Sequence, residues 1–287
     1  MQLYFRKGVK DMATVKNAFK RYEKKFLLTE SQMNEILPPI HEHMDPDPYC
    51  INGKTYTICN VYYDTEDSTI IRHSLSKPFY KEKLRMRSYG TPENGNTKVF
   101  LELKKKIHGE VTKRRAVLTY DQANAFLKDR TVPENLDYIN RQVLSEISWF
   151  LMQYKVRPMA YISYDRTAFF DREDPEFRLT FDENLRTRRD NVDLMKGNYG
   201  ELLRPKDFRL MEVKVSGAFP LWFANKLSEM GLYTATFSKY GMEYQKWKTD
   251  NLLANIIYIP NRAYRTSEDR SSARALTLNT YLEAQNA

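Results

Sequence analysis

Residues 79–89, FYKEKLRMRSY, and residues 97–106, TKVFLELKKK, decide the fold. In the first, Lys83, Arg85 and Arg87 alternate with Leu84 and Met86; in the second, Glu102, Lys104 and Lys106 alternate with Leu101 and Leu103. A period of two puts the charges on one face of a strand and the apolar residues on the other, which no helix does. Working outward, the same reading predicts strands at 20–28 (KRYEKKFLL), 55–65 (TYTICNVYYDT), 110–119 (EVTKRRAVLT), 157–170 (RPMAYISYDRTAFF), 176–185 (EFRLTFDENL) and 208–217 (FRLMEVKVSG). Their polar faces carry Arg21, Glu23 and Lys25, then Lys113 and Arg115, Tyr164 and Arg166, Arg178, Thr180 and Asp182, and finally Glu212 and Lys214.

Helices fall between the strands. Thr29-Glu30-Ser31-Gln32 has the form of a capping box before Met33, Ile36 and Leu37, and Pro38-Pro39 is expected to stop that helix after two turns. Asp121 is the expected cap of a helix carrying Ala123, Phe126 and Leu127. Apolar residues at helical spacing mark 133–154, and a further helix follows Pro220 and stops at Gly231. Without a Pro- or Ser-rich linker or an internal repeat, the expectation is one domain over 19–258, an N-terminal extension at 1–18, and a polar tail or docked helix at 259–287.

Composition limits the function. Among 287 residues, Lys and Arg number 46 against 37 Asp and Glu, a formal net charge of +9 that suits an anionic partner. No signal peptide is encoded, and nowhere do roughly 18 uncharged apolar residues follow one another, so a cytoplasmic product is expected. Cys50 and Cys59 have no second pair, and His41, His43, His73 and His108 lack zinc-site spacing. Phosphate-loop and dinucleotide glycine motifs are absent.

For one strand, a polar face simply meets water. Seven strands with the same Arg- and Lys-dominated face argue otherwise, and about eight antiparallel strands suffice to close a barrel around a usable interior. Like charges confined there oppose folding unless an anion fills the space, so the expected ligand is a chain of phosphates, with carboxylates available to hold a divalent metal. Aromatic residues generally alternate with basic ones on opposite strand faces, which speaks against a nucleic-acid stacking platform, and nucleic acid is not an expected partner.

RYEKKF (21–26), YYDT (62–65), KLRMRSYG (83–90), VFLELKKK (99–106), VTKRRAVL (111–118), SYDRTAF (163–169), FRLTFDENLRTR (177–188), LMEVKVSG (210–217) and FSKYGM (237–242) together resemble the VTC domain, the catalytic domain of vacuolar transporter chaperone polyphosphate polymerases. The resemblance spans roughly 19–245 and implies an α+β protein of the triphosphate tunnel metalloenzyme, or CYTH-like, type. Its expected core is a closed eight-stranded antiparallel barrel with flanking helices, whose basic lumen takes ATP or polyphosphate with Mn2+ or Mg2+.

Transferred position by position, Arg85 and Arg87 match the tunnel arginine pair, Lys25, Lys104, Lys113 and Arg115 further basic positions, Tyr164 and Arg166 the Tyr-x-Arg-Thr-Ala strand, Glu212 the metal-binding glutamate, and Ser238 with Lys239 the Phe-Ser-Lys segment. Read by itself, FSKY is an ordinary loop or strand end. The expected catalytic set is Arg85, Arg87, Lys104, Arg166 and Lys239; the phosphate-binding set is Lys25, Lys83, Lys106, Lys113, Arg115, Tyr164, Arg178, Lys214 and Ser238; the metal set is Glu212, Glu102 and Glu23. Where the wider superfamily has Glu-x-Glu-x-Lys, this chain has Arg21, which removes one carboxylate and argues for the polymerase branch. The regulatory SPX and transmembrane modules of eukaryotic members are not found in the sequence, so a stand-alone form is expected, with any membrane partner on another polypeptide. The implied activity is transfer of the ATP γ-phosphate to polyphosphate, the alternatives being hydrolysis of tripolyphosphate or nucleoside triphosphates, or non-catalytic polyphosphate binding.

Overall fold

The computed structural model describes residues 22–257 apart from Gly109. The alternating segments all become strands. In chain order the elements are β1 (Tyr22–Thr29), α1 (Glu30–His43), β2 (Met44–Pro46), β3 (Tyr56–Thr65), α2 (Thr69–Leu75), β4 (Tyr80–Tyr89), β5 (Lys98–Ile107), β6 (Glu110–Thr119), α3 (Tyr120–Asp129), α4 (Tyr138–Gln153), β7 (Val156–Asp171), β8 (Arg178–Arg188), β9 (Glu201–Leu202), β10 (Phe208–Val215), α5 (Leu221–Glu229) and α6 (Lys239–Ile257). A first compact unit runs to Glu243, and residues from Tyr244 onward form a second, in which Lys246 pairs with Asp250 at 2.6 Å along the helix. The expected N-terminal extension, Arg21 and the polar tail at 259–287 lie outside the described residues.

All strand pairs are antiparallel, and the long strands follow the path β1-β10-β8-β7-β3-β4-β5-β6, with β2 added to β7 and β9 to β8. This corrects the expected closed eight-stranded barrel: the sheet has ten strands and is open. Its end strands β1 and β6 do not pair, and on β6 the Val117 N–H is taken by Asn140 Oδ1 of α4 at 2.8 Å. The sheet nevertheless curls strongly. Glu23 on β1 interacts electrostatically with Lys104 on β5, although five strands separate them along the path.

The apolar faces point away from this concavity and pack under helices. One core cluster joins Leu84, Met86, Leu101 and Leu103 to Phe126 of α3 and to Leu144 and Ile147 of α4. A second joins Phe26, Phe181, Met211 and Val213 to Ile36 and Ile40 of α1 and Phe223 of α5. Burying one Leu- or Ile-sized side chain stabilises by roughly 1.5–3 kcal/mol, so these layers fix the strand faces.

Three helix expectations change. Pro38 and Pro39 lie inside α1, which continues to His43 because Ile36 and Ile40, one turn apart, are fully buried. The prolines cost two backbone donors, but the buried side holds the turn together. The cap of α3 is Thr119, paired reciprocally with Gln122, and Asp121 sits within the first turn. FSKY straddles a junction: Phe237 and Ser238 end a loop, Lys239 begins α6, and Ser238 Oγ accepts from Gly241 N at 3.2 Å.

Candidate functional site

The concave face holds two carboxylate-centred groups. In the first, Glu102 is 1% exposed and sits at the middle of β5. Its register partners are Arg85 on β4 and Arg115 on β6. Arg85 Nε donates to it at 2.7 Å and Arg115 Nε at 2.7 Å, while Lys113 and Arg87 stand at 3.5 and 3.8 Å. Burial works to raise the pKa of Glu102, but the surrounding cations hold it far below the ordinary carboxylate range. Arg85 also donates to Tyr62 Oη at 3.1 Å, and Arg87 to Asn60 Oδ1 at 2.8 Å and Tyr164 Oη at 3.0 Å.

The second group is built on Glu212 of β10 and Asp182 of β8. Arg166 grips Asp182 with two donors, at 2.6 and 2.8 Å, and reaches Glu212 at 3.2 Å. Lys239 spans the same two carboxylates at 2.6 and 3.2 Å, and Lys25 pairs with Glu212 at 3.2 Å and Glu23 at 3.4 Å. Burial raises the Glu212 pKa, and Lys239, Lys25 and Arg166 overcome it, holding the carboxyl well below its usual range. The Tyr164 ring lies 4.4 Å from the Lys239 ammonium and 5.3 Å from the Arg166 guanidinium, which lends both cations an aromatic face.

Other lysines on this face are compensated less fully, and burial outweighs the carboxylates near them. Among the described residues Lys83 donates to Ser238 Oγ, at 3.3 Å; burial, then Lys81, Lys104 and Lys25, push it down to about 7. Lys113 is pushed down to about 8, first by burial, with Glu102 opposing and Arg115 and Arg85 adding to the shift. Lys104 and Lys214 are lowered too, desolvation first. Burial is the first cause of each of these shifts, and for Lys83 the neighbouring Lys81, Lys104 and Lys25 add to it.

Every expected site residue on this face is therefore in or beside these groups except two. Lys106 lies opposite Lys81 near the end of β5. Arg178 donates to the Pro175 carbonyl at 3.0 Å and covers the Phe170 ring at 4.9 Å. Sequence reasoning left Asp182, Tyr62 and Asn60 off the site. Asp182 shares the alternation of Arg178 and Thr180, whereas the other two lie in an almost wholly buried strand that carries no basic residue and whose single charge, Asp64, stands near its end. The expected separation of aromatic and basic faces fails at several positions: Tyr89 shares the face of Arg85 and Arg87, and Phe100 that of Glu102.

The fold class is a curled antiparallel sheet backed by helices, with cations gathered on its concave face. The particular family follows from comparison: the profile of the VTC domain matches residues 20–248, and the chain belongs to that family. Vacuolar transporter chaperone complex subunit 4 of Schizosaccharomyces pombe is 28% identical over 161 residues, 49% of this chain and 22% of the relative, so the match spans about a fifth of that protein. Among solved structures, a candidate adenylate cyclase from Bacillus halodurans superposes with a TM-score of 0.44 at 13% identity, over 75% of this chain and 92% of the other. A second, from Vibrio parahaemolyticus, gives 0.39 at 11%, over 79% and 98%. Among the described residues no helix is long and apolar enough to cross a membrane.

Proposed function

We propose that this domain is a polyphosphate polymerase that moves the γ-phosphate of ATP onto a growing polyphosphate chain lying along the concave face. The observation that carries the reading is geometric: Arg85, Arg115, Lys83 and Lys104 on paired strands, with Arg166, Lys239 and Lys25 beside them, gather on one face around a few carboxylates, and burial first and then neighbouring lysines push Lys83 down to about 7. A phosphate chain restores the charge balance that these groups lack.

In the proposed step a terminal phosphate oxygen of the acceptor attacks the γ-phosphorus, one P–O bond forms, the β–γ bridging bond breaks, and ADP leaves with the electron pair. Charge neutralisation and positioning supply most of such catalysis. Arg85, Arg87 and Arg166 are directed at the triphosphate oxygens, Lys104 and Lys239 at the transferring phosphate, and Lys25, Lys83 and Ser238 at the acceptor. The acceptor oxyanion is already a nucleophile, so no general base is required.

A divalent ion, Mn2+ or Mg2+, belongs to the reading on donor chemistry. Among the described residues no group of three or more His, Cys, Asp or Glu is arranged to hold a metal. Glu23 and Glu212, joined through Lys25, supply the two carboxylates that such an ion takes when phosphate oxygens and water complete its shell. Glu102 fits less well, because the groups paired with it, Arg85, Arg87, Lys113 and Arg115, are all cations. Glu212 itself would have to give up part of its pairing with Arg166, Lys239 and Lys25 to take the ion. When bound, the ion neutralises charge on the phosphate oxygens. Glu212→Gln is expected to lose turnover and manganese stimulation together; turnover still stimulated by manganese would put the metal elsewhere.

The deciding experiment incubates purified protein with ATP and manganese, then stains a gel for polyphosphate and measures free phosphate in the same tube. Long chains with little free phosphate are expected. Free phosphate alone would make the protein a hydrolase, and tight polyphosphate binding without either product would make it a binding subunit. A partner belongs to the same reading, since the yeast relative is a subunit of a vacuolar transporter chaperone complex.

A further inference from the structure

Four aromatic rings run from the surface to the arginines at one end of the concave face. Tyr49, 77% exposed, stands edge-on to Tyr56 at 6.2 Å; Tyr56 meets Tyr89 at 6.0 Å, and Tyr89 meets Phe100 at 5.6 Å. The Arg115 guanidinium lies over Phe100 at 4.6 Å while donating to Glu102. Neither core cluster includes any of these rings, and Tyr89 is 51% exposed. Packing therefore does not explain why a tyrosine projects into water beside a basic site.

The geometry of β4 supplies a reason. Tyr89, Arg87 and Arg85 share one face, each about 7 Å from the next along the strand. That progression, one aromatic ring and then two guanidinium groups, matches the length and chemistry of a base followed by a phosphate chain. On the neighbouring strands, Phe100 lies diagonally across from Tyr89, and Tyr56 feels the charge of Arg166.

We propose that Tyr89, with Tyr56, Phe100 and the exposed Tyr49, forms the subsite for the base of a nucleoside triphosphate whose phosphates run inward over Arg87 and Arg85. This rests on the polymerase reading and gives it a direction. The γ-phosphate faces away from the aromatic rings, toward Lys104, Lys83 and Ser238, so the acceptor chain approaches from the lysine end and the nucleoside diphosphate departs past Tyr89. Stacking tolerates any base because every base has a π-face, so ATP and GTP bind within a few-fold of each other.

The test is calorimetric titration of ATP and of inorganic tripolyphosphate into the full chain, as wild type, Tyr89→Ala and Tyr89→Phe. Tyr89→Ala is expected to weaken ATP roughly 5- to 150-fold while tripolyphosphate is unchanged, and Tyr89→Phe to restore ATP binding. Equal weakening of both ligands, or unaltered ATP binding, overturns the base subsite and leaves the phosphate site standing. A wild-type protein that binds neither ligand overturns the polymerase reading and the subsite together.

Discussion

Lys83 turns the electrostatics of the concave face into a pH dependence. Its folded pKa, about 7, lies below the ordinary lysine value of 10.5. Between these two values the unfolded chain holds a proton that the folded chain does not, so unfolding takes up a proton and this residue's contribution to stability rises with pH. Phosphate binding has the opposite sign, because an anion beside Lys83 favours the charged ammonium. Tripolyphosphate binding near pH 8 is therefore expected to take up protons, detectable as a dependence of the calorimetric heat on the ionisation enthalpy of the buffer, and Lys83→Met should reduce that uptake. Uptake unchanged in the variant would mean that Lys83 does not meet the ligand. Arg85 makes a different case. Its removal leaves Glu102 with Arg115, Lys113 and Arg87, so Arg85→Ala should alter the urea midpoint little while lowering turnover by roughly 100-fold or more. A sharp loss of stability with turnover per folded molecule unchanged would make Arg85 a structural residue.

Between residue and fold, the start of α6 is the element on which the site depends, since it carries Lys239 and holds Ser238 just before it. Asp64, fully buried at the end of β3, holds it from below. The Asp64 carboxylate accepts from Ile70 N and Ile71 N at 2.9 Å each, capping α2 where Ser68 makes no side-chain cap, and from Tyr240 Oη at 2.9 Å. Tyr240 stacks on Tyr62 at 4.7 Å, and Tyr62 in turn accepts from Arg85. Gly241 lets α6 approach α2 closely, since a Cβ there would stand 3.1 Å from Leu75 Cδ2. Tyr240→Phe is expected to cost about 1–2 kcal/mol and Asp64→Ala about 3 kcal/mol, the larger loss because two helix N–H groups and the tyrosine hydroxyl are left unpaired. Equilibrium urea unfolding measures both; equal costs would show that the helix cap contributes nothing. Little of this element is legible in the sequence. The long strands announce themselves by alternation, but α2 has only seven residues and its cap comes from a preceding strand. β2 and β9 have three and two residues, too few for any period to register. The cations of the site are equally plain in the alternation, whereas their partners are not, because pairing Arg166 with Asp182 or Lys239 with Glu212 requires the sheet and α6 to be folded.

At the scale of the whole molecule, the apolar layers and the charged face pull against each other. The helices bury one side of every long strand and fix which face turns inward, and the charges follow whether or not they are matched. The eight long strands do not close into the barrel that the family resemblance implies: the edge of β6 instead gives a hydrogen bond to α4, and curvature brings Glu23 toward Lys104. Lysines crowded this way repel each other through water and counterions, with a Debye length of about 10 Å at 0.1 M salt and about 3 Å at 1 M. The close pairs around Glu102 and Asp182 are buried, directly bonded and weakly screened, while the repulsions of Lys83 by Lys81 and Lys104, and of Lys104 by Lys25, act between groups not bonded to one another and are screened more. Raising salt from 50 to 500 mM should thus increase the urea midpoint of the free protein and, over the same range, weaken tripolyphosphate binding. With saturating tripolyphosphate the stabilisation by salt should disappear, because the ligand has already neutralised the lysines. A free protein that loses stability as salt rises would mean that attraction outweighs repulsion on this face, and the electrostatic case for a phosphate chain would fail with it.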